Sequence, residues 1–220
     1  MVITYKALAA LLAYPTAELC EALPEIRDLI DGEAKLGRRE RRALSALIAE
    51  LGASDLIDAQ ERYVDLFDRG RATSLNLFEH VHGESRDRGQ AMVDLKATYA
   101  QAGLVLRANE LPDYLPVLLE FLSTQSEAVA RDMLEDCAHI VRSIGDGLAK
   151  RGSAYATIFA AILSLAGQRG LGAGPPSADE RDRPLDDEWL EAPVVFGPGA
   201  ACGPKDAATS VVQFMPRVPR

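Results

Sequence analysis

Sixteen residues, Leu77 to Met92 (LFEHVHGESRDRGQAM), hold the groups of this chain best suited to chemistry: Glu79, His80, His82, Glu84, Ser85, Arg86, Asp87 and Arg88. Histidines and carboxylates this close together raise the question of a metal. Glu79 and His82, three apart, can share a helix face as in di-iron bundles. Such a site needs a second Glu-x-x-His, and the only other histidine, His139, stands in Cys-Ala-His. His80 and His82 are two apart, so on a helix they point to roughly opposite sides and converge on one ion only from extended chain. Ser85 lacks the G-x-S-x-G elbow, and nearness to His82 in sequence does not build a nucleophile, base and orienter. No Walker loop occurs, and the glycines after residue 170 are not framed by strand and helix. The run therefore reads as a polar network that positions a loop or receives a peptide. A small metal-dependent or hydrolytic enzyme using Glu79, His80, His82 and Asp87 is the alternative.

A helix is expected to follow Gly83, and Arg86 and Arg88 then fall in its first turn, where the macrodipole favours anions. Glu84 and Asp87 offset this only in part. Rules of local consistency tend to be broken where function or a buried network demands it.

The whole chain carries 24 basic and 33 acidic residues, a net charge of −9. That balance argues against nucleic acid, whose backbone is bound by clustered Lys and Arg. It suits solubility or attraction of a basic peptide. The N-terminus has no basic leader followed by a long apolar region, and the apolar stretch Tyr155 to Gly167 is shorter than the roughly 20 residues a spanning helix needs. These features predict a cytoplasmic protein without stable membrane association. Cys20, Cys137 and Cys202 are scattered, which indicates neither a disulfide frame nor a zinc knuckle; the first two read as core thiols.

Apolar residues recur with a helical period up to residue 170, and no alternating strand stands out, so the fold class is all-α, a single-domain helical bundle. Tyr5, Leu8, Leu11 and Leu12 form a first stripe closed by Pro15. Leu19, Leu23, Ile26, Leu29 and Ile30 form a second, with a break or kink at Pro24 and an end at Gly32. Leu44, Leu47, Ile48 and Leu51 form a third, with Gly52 as a left-handed terminator and Ser54 as the cap of a fourth helix bearing Ile57, Tyr63, Val64 and Phe67. Met92, Leu95 and Tyr99 give the inward face of the next helix, ended by Gly103. In ELPDYLPVLLEFL, Pro116 fits a first turn, with Asp113 as N-cap and Leu115, Leu118, Leu119 and Leu122 buried. Val129, Met133, Cys137, Ile140, Val141, Ile144 and Leu148 line one further helix, and Tyr155, Phe159, Ile162 and Leu163 another.

Residues 1–170 thus form one helical domain. Residues 171–220 differ: GLGAGPPS reads as a linker, Asp179 to Glu191 sets seven acids against Arg181 and Arg183, and the Gly/Pro-rich remainder is expected to be mostly disordered. Trp189, Leu190 and Val194 to Phe196 make an apolar island there. A regulatory adaptor acting through this acidic tail is a second alternative.

In order and spacing, YVDLFDRGRATSLNLFEHVHGESRDRGQAMVDL from Tyr63 to Leu95, followed by ELPDYLPVLLEFL, resembles the NarJ family of respiratory nitrate reductase assembly chaperones. The resemblance covers about residues 1 to 170. It implies an all-α protein that is not an enzyme, carries no cofactor of its own, and binds the apoprotein of the nitrate reductase catalytic (alpha) subunit, chiefly at its N-terminal segment. It implies that binding holds the subunit back from its membrane anchor and competent for molybdenum cofactor and iron–sulfur insertion, with cofactor-biosynthesis proteins as candidate further partners. The motif positions carried over as client-binding candidates are Glu79, His80, His82, Gly83, Arg86, Asp87, Arg88, Gly89 and Met92, with Leu111, Pro112, Asp113 and Tyr114 in the second motif. Arg86, Asp87 and Arg88 lead for direct contact.

Overall fold

The helical periods of the sequence become nine α-helices and one 3-10 turn in a computed structural model that describes residues 3–82, 86–106 and 110–171. In order they are α1 (Ile3–Leu12), α2 (Ala17–Asp31), α3 (Arg38–Ala53), α4 (Leu56–Phe67), the 3-10 turn Arg71–Thr73, α5 (Leu77–His82), α6 (Arg86–Gln101), α7 (Leu115–Thr124), α8 (Glu127–Lys150) and α9 (Ala156–Leu165). No strand occurs among the described residues, and one isolated antiparallel bridge joins Asn76 to Tyr114. The all-α expectation holds. Gly83, Glu84, Ser85, Cys202, the acidic stretch and the apolar island of the tail lie outside the described residues.

Three short helices, α1, α7 and α9, are apolar on nearly every side, and a helix of that kind is stable only when surrounded. α1 accordingly packs on α7 and also touches α2 and α9, while α3 and α8 cover α9. The expected stripes are buried on α1 and on α7. Along α8 the buried line runs from Ala130 through Leu134, Cys137, Ile140, Val141, Ile144 and Leu148; Val129, expected on it, is exposed in the first turn. Burial pushes the Cys137 thiol up to about 12, so it behaves as a small apolar side chain. No helix among the described residues is long and apolar enough to cross a membrane.

Four local expectations are corrected. α2 is not broken at Pro24, which lies on the exposed side; buried Leu23, Ile26 and Ile30 hold the helix across the missing N–H bond. Gly52 sits inside α3 with a right-handed backbone; among the described residues positive φ occurs only at Gly103, Gly152 and Gly167. Gly103 follows α6 as expected. Ser54 ends α3 instead of starting α4: its hydroxyl donates to Glu50 O at 2.9 Å, while Asp55 caps α4 by accepting from Ile57 N at 2.9 Å. Asp113 is not the cap of α7, whose cap position is held by Tyr114 without a side-chain bond; Pro116 does fall in the first turn.

One glycine permits the α8–α9 approach. A Cβ on Gly145 would stand 2.8 Å from Phe159 Cβ and 2.8 Å from Leu171 Cδ1, so only hydrogen fits where the chain after α9 folds back over α8. Gly167 (φ 72°) makes that reversal, and the Arg142 guanidinium fixes it by donating to Arg169 O at 2.6 Å and Gly170 O at 3.3 Å. Gly145→Ala is expected to lose about 1–3 kcal/mol of stability by overpacking, measured by urea denaturation. Adding Leu171→Ala should restore only part of it, because Phe159 Cβ is rigid; full restoration would place the whole clash on Leu171.

Candidate functional site

The two sequence motifs meet at a short stretch of paired backbone. After the 3-10 turn the chain runs extended through Ser74, Leu75 and Asn76 beside Asp113–Leu115. Leu77 N donates to Asp113 O at 3.0 Å and Leu115 N to Leu75 O at 2.9 Å. Thr73 helps set this course: its hydroxyl donates to Leu66 O at the end of α4.

Asp113, fully buried, starts α5 from across this pairing, since its Oδ2 accepts from Phe78 N at 3.0 Å. A carboxylate at a helix N-terminus satisfies orphan donors and complements the dipole. Burial nevertheless pushes the Asp113 carboxyl up, against the pull of Phe78 N–H and the charge of Arg88, and its Oδ1 has no hydrogen-bond partner among the described residues.

Glu79, on α5, gathers the rest. It accepts from Ser74 Oγ at 2.6 Å, from Asn76 Nδ2 at 3.4 Å and from Arg88 Nη2 at 3.2 Å. Burial alone would raise its carboxyl, but the Ser74 bond and the Arg88 charge outweigh burial and hold it below the usual range. His80 completes the loop: a carbonyl can only accept, so Nε2–H donates to Ser74 O at 2.9 Å, which fixes the tautomer. Arg88 in the first turn of α6 is thereby explained, because Glu79 supplies the anion that offsets the unfavourable end of the dipole.

The candidate residues thus divide by position. Glu79, His80, Arg88 and Asp113 form one network, and Pro112, next to Asp113 in the chain, is held by Tyr99 Oη donating to its carbonyl at 2.9 Å. Met92 packs half-buried on the core; Asp87, Gly89 and Leu111 are exposed. His82 ends α5 and Arg86 begins α6, with their side chains outside the described residues. Glu79 and His80 are both committed to neighbours, and no three His, Cys, Asp or Glu side chains among the described residues are grouped to hold a metal ion.

Beside this network the structure opens a cleft of about 210 Å³ lined by Tyr14, Tyr63, Phe67, Asp68, Ser74, Leu75, Asn76 and Tyr114. Tyr63 is its back wall. Its hydroxyl donates to Leu12 O at 2.8 Å, satisfying a carbonyl at the end of α1, and lies 2.9 Å from the Tyr114 hydroxyl. Rings pack around it: Tyr63 meets Tyr14 edge to face at 5.6 Å and Phe67 at a tilt at 4.8 Å, and Phe67 meets Tyr155 edge to face at 5.2 Å. Gln60 Nε2 donates to Pro15 O at 2.8 Å and so ties the turn bearing Tyr14 to α4. Only Tyr114 of this lining was among the sequence candidates. Tyr63 and Phe67, four apart, were visible as a helix stripe, but nothing local marks their edge as a cleft wall.

An all-helical bundle whose polar network braces an aromatic cleft has the form of a binding protein. Comparison with known proteins makes the class specific. The family model described as nitrate reductase delta subunit matches residues 13–161. The chain is 42% identical over 199 residues to the nitrate reductase molybdenum cofactor assembly chaperone NarJ of Escherichia coli (strain K12), covering 88% of this chain and 84% of that one. It is 40% identical over 198 residues to the probable chaperone of the same description, NarW, of that strain, covering 87% and 82%. Against the probable NarJ of Bacillus subtilis (strain 168) it is 36% identical over 163 residues, covering 74% and 87%. This chain belongs to the nitrate reductase delta subunit family, whose relatives named here are assembly chaperones and not enzymes.

Two predictions follow from the network. Asp113→Ala is expected to cost about 1–2 kcal/mol through loss of the α5 cap, measured by denaturation. The two carboxyls act oppositely with pH: Glu79, lowered, gives stability that is lost as pH falls through its folded value, whereas Asp113, raised, makes the fold gain stability as pH falls toward the ordinary aspartate range. Between about pH 7 and about pH 3, Glu79→Gln should therefore flatten the acid loss of melting temperature and Asp113→Asn should steepen it. Parallel acid profiles for all three proteins would separate the network from the acid response.

Proposed function

We propose that this protein is a cytoplasmic assembly chaperone of anaerobic nitrate respiration. In this reading it binds the N-terminal segment of the respiratory nitrate reductase catalytic subunit before membrane attachment, while molybdenum cofactor and iron–sulfur groups are inserted. Residues 1–170 are its working domain, and residues 171–220 an acidic appendage. The observation that carries the reading is the match, along most of the chain, to relatives named as nitrate reductase molybdenum cofactor assembly chaperones. The site supports it: its histidine and carboxylates brace a loop, and its open feature is a cleft.

The mechanism follows from that division. A client segment seats at the cleft, which Tyr114 lines, and the exposed Leu111 and Asp87 are further candidate contacts. Glu79, His80, Arg88, Pro112 and Asp113 keep the cleft edge in shape, and His82, Gly83, Arg86, Gly89 and Met92 are further candidate contacts. Apolar contact supplies affinity, and the net acidity of the chain favours a basic segment. Release must remain easy, and a micromolar constant corresponds to only about −8 kcal/mol.

Deletion of this chain is expected to leave the catalytic subunit present but poor in molybdenum by elemental analysis of the purified subunit, with recovery on re-expression. Normal molybdenum content in the deletion strain would sink the proposal.

A further inference from the structure

The cleft has a one-sided chemistry. Tyr63 has a single proton, which goes to Leu12 O, so the 2.9 Å contact between phenols must be Tyr114 donating to Tyr63. The Ser74 hydroxyl and one of the two Asn76 amide N–H groups are given to Glu79. What these lining residues leave for a ligand is mostly acceptors: the lone pairs of Tyr114 Oη, the Asn76 carbonyl oxygen and the carboxylate of Asp68. The second Asn76 N–H and the exposed Tyr14 hydroxyl are the donors that remain.

Asp68 is also misplaced by local rules. It is the C-cap of α4, at the negative end of that helix's dipole, where an anion is disfavoured and a cation favoured. Arg88 breaks the converse rule at α6, and there Glu79 answers it. No described residue answers Asp68. Its neighbour Arg69 is engaged with Asp65 at 2.7 Å. The faces and edges of Tyr14, Tyr63 and Phe67 border the same space, and aromatic faces attract cations. At about 210 Å³ the cleft holds far more than a water.

We infer that this cleft seats a lysine or arginine side chain of the bound partner, its stem against Tyr14, Tyr63 and Phe67 and its head on Asp68, Tyr114 Oη and Asn76 Oδ1. The identity of the partner rests on the chaperone reading above; the cation site does not. It gives client selection a specific charge contact in addition to general apolar burial.

The site is tested first without any client. Isotope-labelled full-length protein is titrated with n-butylguanidinium and with its neutral counterpart n-butylurea, following the ring signals of Tyr14, Tyr63 and Tyr114 by NMR. Saturable shifts with the cation, at least about tenfold weaker with the urea and abolished in Asp68→Asn, are expected. Equal response to both probes, or none, overturns the inference. The second arm uses a synthetic peptide of the catalytic subunit's N-terminal segment, with each Lys replaced by norleucine and each Arg by citrulline in turn, in calorimetry with wild type and Asp68→Asn. One position should weaken wild type about tenfold and Asp68→Asn by no more than about twofold. Identical losses in the two proteins at every position overturn the inference. If wild type ignores the peptide yet seats butylguanidinium, the cation site stands and the client assignment falls.

Discussion

The backbone pairing of Leu75–Leu77 with Asp113–Leu115, clasped by the Asp113 carboxylate, is the constraint on which the site depends. It aligns two segments distant in sequence, starts α5, and by starting α5 places Glu79 and His80 over Ser74. Everything else at the corner is arranged around those positions. Burying a carboxyl is costly, and here that cost accompanies a fixed α5 start.

A second consequence is that Glu79, His80 and Arg88, the engaged polar residues of the Leu77–Met92 run, act mainly as a brace. Glu79 receives three donors, His80 and Arg88 each hold one partner, and the aromatic wall nearby carries the open surface. Preorganisation of this kind reduces what must be ordered when a partner binds, so a small cleft can still discriminate.

Helix existence and the buried stripes were legible because a 3.6-residue period survives in the sequence wherever one face is covered, as on α1 and α7. The Leu77–Met92 run was legible as an anomaly, and Arg88 in a first turn was the right clue; its answer, Glu79, lay in the same run. Asp113 misled because capping is normally local: the sequence shows a carboxylate just ahead of a helix, and only the fold reveals that it serves α5 instead of α7. Ser54 and Asp55 show the same ambiguity at shorter range, two adjacent capping residues dividing the end of one helix from the start of the next. Tyr14 and Asp68 gave no signal, since a cleft lining is set by which elements fail to touch, and that has no sequence period.

α1 lies against α2, α7 and α9, and two of these three, α7 and α9, lie far along the described chain from it. Its leucines therefore stay partly uncovered until α7 and α9 have been made and have folded back onto it. Such distant pairing slows folding and prolongs exposure of a sticky segment. The supply of folded protein is therefore limited by how quickly α1 finds those distant neighbours.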